Sequence, residues 1–260
     1  MSSNKETPMK TIGFVFLVCL VCAALVSISA SGLKQRQIDN KLLDRQTKIL
    51  EASGLLKEAG ADVVGTFNKF VVSKMIDLDT GAVVENASIE EIDMFDERRD
   101  SRNQAKSSKP KSDIAGINRR ANHAVVYLVN DEHGKLNTLV LPIVGSGLWD
   151  LMYGFVGLAP DLNTVRSVIY SDLKETPGLG AEVLNPKWKA LWPDKKMFDD
   201  NKKVAIKIVK GGAKQGDVHG VDALSGATLT SNGVERTLHF WLGDEGYGPF
   251  ITNFRNGGLN

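Results

Sequence analysis

The chain has little net charge and almost no cysteine. Its 260 residues include 32 lysines and arginines against 31 aspartates and glutamates, which gives a formal net charge of +1. No overall field would therefore attract nucleic acid, and we expect no nucleic-acid partner. Both cysteines, Cys19 and Cys22, lie near the N-terminus. The rest of the chain lacks thiols and disulfides, which suits an exported domain.

Signatures of several common chemistries are missing as well. No G-x-S-x-G segment is present, so we do not expect a serine hydrolase, although His219 and His239 are candidate bases in sequence terms. No Walker-type lysine follows the glycine-rich segments, and Gly145-Ser146-Gly147 is too short for a dinucleotide-binding loop. We therefore expect no catalytic residues and no metal ligands in this chain.

One long apolar run is present, at Thr11–Ala30, and it contains no charged residue. At about 1.5 Å per residue, a helix of this length spans roughly 30 Å, the thickness of the hydrocarbon core of a bilayer. A cleavable signal peptide is the alternative, because residues 29–31 are small, but the apolar region of such a peptide has only about 7–15 residues. The run predicts a single retained membrane helix.

The apolar run also suggests how the chain is divided. Basic residues flank it in similar number on both sides, so the positive-inside rule barely decides its orientation, whereas a short tail ahead of a large domain favours export of that domain. Cys19 and Cys22 form a C-x-x-C pair inside the run, where packing is a more common role than redox or metal chemistry. We predict a cytoplasmic tail at 1–10, a transmembrane helix at 11–30, a helical stalk at 31–60 and an exported domain at 61–260.

Beyond the apolar run, strand and helix patterns occur in separate stretches. Apolar residues at helical spacing between Gln35 and Leu56 predict that the membrane helix continues as a stalk, and the charged segment Glu90–Arg99 is typical of a solvated helix end. Short helices are predicted at Ala181–Leu191 and Val234–Leu242. Strands are predicted at Lys69–Ile76, Ala124–Asn130, Leu136–Val144, Tyr153–Leu158, Thr164–Tyr170 and Lys203–Val209. The segregation of strands and helices predicts an α+β domain.

The segment DALSGATLTS, Asp222–Ser231, combines an aspartate, a Gly-Ala pair and four hydroxyl side chains. Thr230, Ser231 or Asn232 could cap the final helix, and Asn232 has the spacing to Glu235 of a capping box. A phosphate site is the other interpretation, because small residues before a helix N-terminus let backbone N–H groups approach an anion. The residues alone leave both interpretations open.

The same segment resembles a known modification motif. Asp222–Thr228 is similar to the flavinylation motif D-x-x-[ST]-[GS]-A-[TS], although Ala223 stands where glycine is common. The segment ETPGLG at 175–180 resembles a second signature of the same FMN-binding domain, and Gly147–Trp149 with Met152–Gly154 resembles a third. The whole chain, from the apolar run to the C-terminus, is similar to the C subunit of the Na⁺-translocating NADH:quinone reductase, with its flavin signatures at 147–231.

This resemblance implies a cofactor and its site. A flavin transferase would join the phosphate of FMN to the Thr228 hydroxyl through a phosphoester, which would make the flavin permanently available to an exported protein. The redox chemistry would belong to the flavin, while the protein would supply attachment and orientation. Besides Thr228, the residues implied in cofactor binding are Asp222, Ser225, Gly226, Ala227, Leu229, Thr230, Trp149, Glu175, Thr176, Gly178 and Leu179.

The resemblance also implies a role and a location. The chain would relay electrons within a bacterial inner-membrane complex that oxidises NADH, reduces ubiquinone and exports Na⁺, with its other membrane subunits as partners. It would cross the membrane once, with its bulk on the periplasmic side. The apolar run contains no carboxylate that could carry Na⁺. Two alternatives are the equivalent subunit of the related ferredoxin:NAD⁺ oxidoreductase and a membrane-anchored module that binds a phosphorylated ligand reversibly.

Overall fold

The structure, a computed structural model, describes residues 8–257. The predicted tail at residues 1–10 lies mostly outside this range. Contacts divide the chain into two units, residues 1–45 and 46–260. Helix α1 comprises Pro8–Ser53, and its final residues, 46–53, belong to the second unit. Among residues 8–257, α1 is the one helix long and apolar enough to cross a membrane, judged by length and composition.

The second unit contains a five-stranded antiparallel sheet in the order β1-β4-β5-β6-β7. Two small sheets, β2-β3 and β8-β9, accompany it, and β8 and β9 run parallel. A 3₁₀ helix spans Gly180–Leu184. The other elements are α2 Leu56–Ala59, α3 Val63–Phe70, β1 Val71–Asp77, α4 Ile89–Asp93, α5 Glu97–Arg102, β2 Ser107–Ser108, β3 Arg120–Ala121, β4 His123–Asn130, β5 Leu136–Ser146, β6 Leu151–Leu158, β7 Val165–Asp172, α6 Pro186–Lys189, β8 Lys207–Val209, β9 Gly220–Asp222, α7 Thr228–Leu242 and α8 Gly248–Arg255. The predicted mixed helix-and-sheet class is confirmed.

Both faces of the main sheet are covered, which explains why its central strands are apolar at nearly every position. Side chains alternate between the faces along a strand. On β5, Leu139 and Leu141 join a core that includes Leu238 and Trp241 of α7. The intervening Val140 joins a second core that includes the C-terminal end of α1. Each such buried side chain contributes about 1.5–3 kcal/mol relative to an exposed one.

Helix α7 packs unusually close to strand β5, and glycines make this possible. A Cβ atom on Gly145 would lie 1.9 Å from the Thr237 Oγ1, and one on Gly233 would lie 2.2 Å from the Ser146 carbonyl oxygen. Neither position can therefore carry a side chain without moving the helix. The close packing places the N-terminal end of α7 beside the residues that follow β5.

Two of the predicted elements differ from the structure. The last helix begins at Thr228 rather than Val234, so Asn232 lies within it. The predicted capping box is wrong, because the Glu235 carboxylate instead accepts a hydrogen bond from the Ile208 backbone N–H at 2.5 Å. In the predicted strand Lys203–Val209, only residues 207–209 form a strand, since their pairing partner β9 is equally short.

Candidate functional site

The segment DALSGATLTS forms a loop that leads from β9 into α7. Gly226 has φ +73°, in the left-handed region that favours glycine, and Ala227 has φ −125°, so regular helix begins only at Thr228. Within the described chain, no side chain caps this helix end. The first turn of α7 therefore presents backbone N–H groups and the positive end of the helix dipole to the loop surface.

Burial divides the hydroxyl groups of the loop into two pairs. Ser225 and Thr228 are exposed, whereas Thr230 and Ser231 are buried. The Ser231 Oγ accepts a hydrogen bond from the Leu224 backbone N–H at 3.0 Å and thereby closes the loop. The Thr230 Oγ1 donates to the Glu175 Oε2 at 2.5 Å. Neither buried residue caps the helix, contrary to one interpretation of the sequence, because both already lie inside α7.

Glu175 connects three segments of the site. Its carboxylate is buried, with only 6% of the residue exposed. One oxygen accepts hydrogen bonds from the backbone N–H groups of Leu148 and Trp149, at 2.8 and 3.2 Å, and the other accepts the bond from Thr230. Residues 147–149, which we call the tryptophan arm, are thus bonded through Glu175 to the first turn of α7.

Trp149 is held at a second point although 69% of it is exposed. Its indole Nε1 donates a hydrogen bond to the Thr176 Oγ1 at 3.1 Å. The residues after Thr176 form a turn in which Gly178 has φ +75°, and the Leu179 N–H donates to the Thr176 carbonyl at 3.1 Å. Two consecutive residues, Glu175 and Thr176, therefore fix the backbone and the ring of the same tryptophan.

The ETPGLG turn also meets the DALSGATLTS loop. A Cβ atom on Gly226 would lie 3.0 Å from the Leu179 Cδ2, so the Leu179 side chain lies against that glycine. Leu179 is 43% exposed and Leu229, in the first turn of α7, is 57% exposed. Together with Trp149, these side chains give this surface an apolar character that is unusual for exposed positions.

Asp222 has a structural role at the base of the loop. Its Oδ1 accepts a hydrogen bond from the Ala213 backbone N–H at 2.8 Å, and its carbonyl oxygen accepts one from the Trp188 indole at 2.9 Å. These bonds fix the point where the loop leaves β9. Ser225 and Gly226 lie exposed farther along the loop.

Charges next to the site are paired with one another. The Lys174 Nζ lies 2.5 Å from the Asp150 Oδ2, and this hydrogen bond, with a further one from the Leu151 backbone N–H, lowers the pKa of Asp150. Arg98 pairs with Asp172 and lies 3.7 Å from the centre of the Tyr153 ring. Charge pairs of this exposed kind contribute little to stability, so they border the apolar surface without determining its shape.

Most of the sequence-predicted residues meet at this surface. The structure brings Trp149, Thr176, Leu179 and Gly226 to the N-terminal end of α7, and it places Asp222 at the base of the loop. Sequence reasoning missed Gly147 and Gly180, whose Cβ atoms would lie 2.4 and 2.2 Å from the Glu175 carboxylate oxygens. Their position on either side of a buried glutamate in two separate motifs is the one signal that could have indicated them.

Comparison with known proteins gives consistent matches. The FMN-binding domain family model matches residues 147–243. The C subunit of the Na(+)-translocating NADH-quinone reductase from Vibrio alginolyticus is 46% identical, with all of both chains covered. The corresponding protein of Yersinia pestis is 44% identical, and the match covers 98% of this chain and 96% of that one.

Solved structures are similar along most of the chain. The crystal structure of Shewanella oneidensis NqrC has a TM-score of 0.80 and 43% identity, and the match covers 84% of this chain and 99% of that one. The Parabacteroides distasonis protein of the same name, with a TM-score of 0.66 at 24% identity, covers 85% of this chain and 97% of that one and shows the fold alone.

Proposed function

Because this chain belongs to the NqrC family, the C subunits of Na⁺-translocating NADH-quinone reductases, as its motifs predict, we propose that it relays electrons in such a complex and carries FMN on Thr228. Membership makes it a subunit of an oxidoreductase complex with an FMN-binding domain. The attachment we propose is a phosphoester between the FMN phosphate and the Thr228 Oγ1. The flavin would supply the redox chemistry, and the chain would attach and orient it.

The exposure of the hydroxyl groups is the observation that carries this proposal. Thr228 is exposed at the first position of α7, where uncapped N–H groups favour a phosphate. The Thr230 and Ser231 hydroxyls are buried and already hydrogen-bonded. Ser225 is also exposed, but it precedes Gly226 and lies outside the first turn of the helix.

The surroundings of Thr228 fit the rest of the cofactor. Gly226, in its left-handed conformation, allows a ligand to approach the backbone closely. Exposed side chains of Trp149, Leu179 and Leu229 offer an apolar surface of the kind that a flat aromatic ring requires. We propose that these side chains, with Thr176 and Gly178, contact the ring. Glu175 and Thr230 support the site from beneath, and Asp222, Ser225 and Ala227 present the loop.

Mass spectrometry of the protein purified from its native membrane tests the attachment. Acid denaturation should leave the flavin colour with the polypeptide, whereas reversible binding of a phosphorylated ligand would release it. The peptide spanning Leu224–Arg236 should carry the mass of FMN minus water, and fragmentation should place it on Thr228. An adduct on Ser225, or none after co-expression with a flavin transferase, would refute the assignment.

We further propose that α1 anchors the chain once in the bacterial inner membrane, with the FMN-binding domain on the periplasmic side. The support is the single long apolar helix among residues 8–257, and the lack of cysteine after Cys22. Its partners would be the other membrane subunits of the complex and, during maturation, a flavin transferase. Reporter fusions after Asn260 test the orientation. Activity of only a cytoplasm-restricted reporter would contradict it.

A further inference from the structure

Glu175 is the one residue that touches both the tryptophan arm and the first turn of α7 through its side chain. Its carboxylate accepts two backbone N–H groups of the arm and the Thr230 hydroxyl of the helix. All three donors are uncharged, so the negative charge of the carboxylate is stabilised by hydrogen bonds alone. Such bonds to a buried ionised group are stronger than those between neutral groups.

The space around this carboxylate is made by two glycines from different motifs. A Cβ atom on Gly147 would lie 2.4 Å from the Glu175 Oε1. A Cβ atom on Gly180 would lie 2.2 Å from the Oε2 and 2.6 Å from the Thr230 Oγ1. Real Cβ atoms do not make contacts this short, so both glycines are required for the carboxylate to occupy its position. Three signature segments thus converge on one side chain.

Trp149 is the residue whose position depends most on this arrangement. It lies at the exposed end of the arm, and little packing holds it, since 69% of its surface is free. Its two hydrogen bonds go to Glu175 through the backbone and to Thr176 through the ring. Without the carboxylate, the arm would lose its link to α7 while the indole kept only one bond.

We propose that Glu175 is a positioning residue that holds Trp149 in place beside Thr228 before the flavin is attached. The proposal rests on the proposed function, because it assigns to Trp149 a side of the flavin site. Glu175 itself would not touch the cofactor. It acts through the arm, so that the surface for the ring is preformed and costs little conformational entropy when the flavin arrives.

Hydrogen exchange in flavin-free protein tests the preformed arm. In a Thr228→Val background, Glu175→Ala should speed exchange of the Leu148 and Trp149 amides by about tenfold or more, because each loses a bond to a charged acceptor. Glu175→Gln should restore most of the protection, since its amide oxygen can still accept both bonds. Asp150→Asn is the matched control on the same arm, an exposed carboxylate paired with Lys174, and should leave both amides unchanged.

Visible circular dichroism of the flavin-loaded protein provides the second readout. Glu175→Ala should alter the flavin signal, and Glu175→Gln should return it close to that of the unmodified sequence. Unchanged exchange in folded Glu175→Ala would overturn the proposal, as would a Gln variant that behaves like Ala. If Glu175→Ala does not fold, Thr230→Val removes one end of the link and should speed the same exchange to a smaller extent.

These outcomes separate the two proposals. Absence of flavin from Thr228 in the unmodified sequence would refute the proposed function, yet the exchange measurements would still decide whether Glu175 fixes the arm. Conversely, flavin on Thr228 together with an arm that is indifferent to Glu175→Ala would leave the proposed function intact and refute the positioning role.

Discussion

Two glutamates in the same domain have carboxyl groups enclosed by protein, and their surroundings differ. Glu175, at the flavin site, accepts three hydrogen bonds from the arm and α7. Glu97, at the start of α5, accepts one at 3.4 Å, from the Ala121 backbone N–H. Burial is the largest cause that raises the pKa of Glu97 to about 7, and the neighbouring Asp100 and Asp96 raise it further.

A nearby cation does not rescue Glu97. The Arg120 side chain is buried and donates to the Asp79 carboxylate and to the Glu245 carbonyl oxygen, so its attraction offsets only part of the burial cost of Glu97. The difference teaches that enclosure does not by itself make a carboxylate a fixed structural charge. The supply of donors does, and this chain supplies them at the site that we assign to the flavin.

The largest expected effect comes from removing the acceptor hydroxyl. Thr228→Val keeps the shape of the side chain but has no oxygen to form the phosphoester, so the protein should fold and carry no covalent flavin. Thr230→Val is the matched control in the same turn. It should retain its flavin, at a stability cost of about 1–3 kcal/mol because a buried carboxylate loses a donor. In-gel flavin fluorescence and intact mass measure both, and flavin on the Thr228→Val protein would contradict the assignment.

The next effect concerns Glu97 and pH. A carboxyl whose pKa is raised on folding binds its proton more tightly in the folded state, so its contribution is favourable below about pH 4.5 and is lost as pH rises through about 7. Glu97→Gln should therefore increase the free energy of unfolding at pH 8 by up to about 3 kcal/mol and change it little at pH 4.

Urea denaturation at a series of pH values measures this difference. Glu91→Gln is a suitable control on the neighbouring helix, where the exposed carboxylate serves the Ser88 capping box. It should not reproduce the gain at high pH. Equal stability of the Glu97→Gln and unmodified proteins at pH 8 would contradict the predicted difference between the two glutamates.

A smaller effect tests the space around Glu175. Gly180→Ala should destabilise the domain by about 1–3 kcal/mol, because the added methyl group overlaps the Glu175 Oε2. In a Glu175→Ala background the same substitution should cost much less, since the obstructing carboxylate is gone. The double-mutant cycle measures this coupling directly. Additive costs would show that the glycine serves another purpose.

The smallest effect on stability is expected at the exposed apolar surface. Leu179→Ala and Thr176→Ala should each change the free energy of unfolding by less than about 1 kcal/mol, because both side chains are exposed. Both variants should keep the covalent flavin but change its midpoint potential, since these residues are proposed to touch the ring rather than the phosphate. Loss of flavinylation in either folded variant would contradict that division of roles.

Local patterns predicted much of this molecule. The hairpin β4–β5 follows from two apolar runs around a turn in which Asp131 accepts the His133 and Lys135 N–H groups and Gly134 has φ +74°. The attachment loop follows from the motif resemblance. Both signals lie within a few residues of one another, where sequence reasoning is strongest.

The features that sequence reasoning missed depend on contacts between distant segments. The start of α7 at Thr228 reflects its docking against β5 through Gly233. The linking role of Glu175 needs partners from two other motifs. The charged segment Glu90–Arg99 was expected to be solvated, yet the Glu97 carboxyl is enclosed. Charge patterns alone do not reveal such enclosure.

The alternating exposure of the hydroxyls has a consequence for the order of events in the cell. An unfolded chain would offer Ser225, Thr228, Thr230 and Ser231 to a modifying enzyme alike, whereas the folded loop withholds the last two. Under the proposed function, folding therefore comes before modification and selects its target. Maturation would then act as a test of folding, because a domain in which α7 has not docked would lack the marked surface and remain colourless.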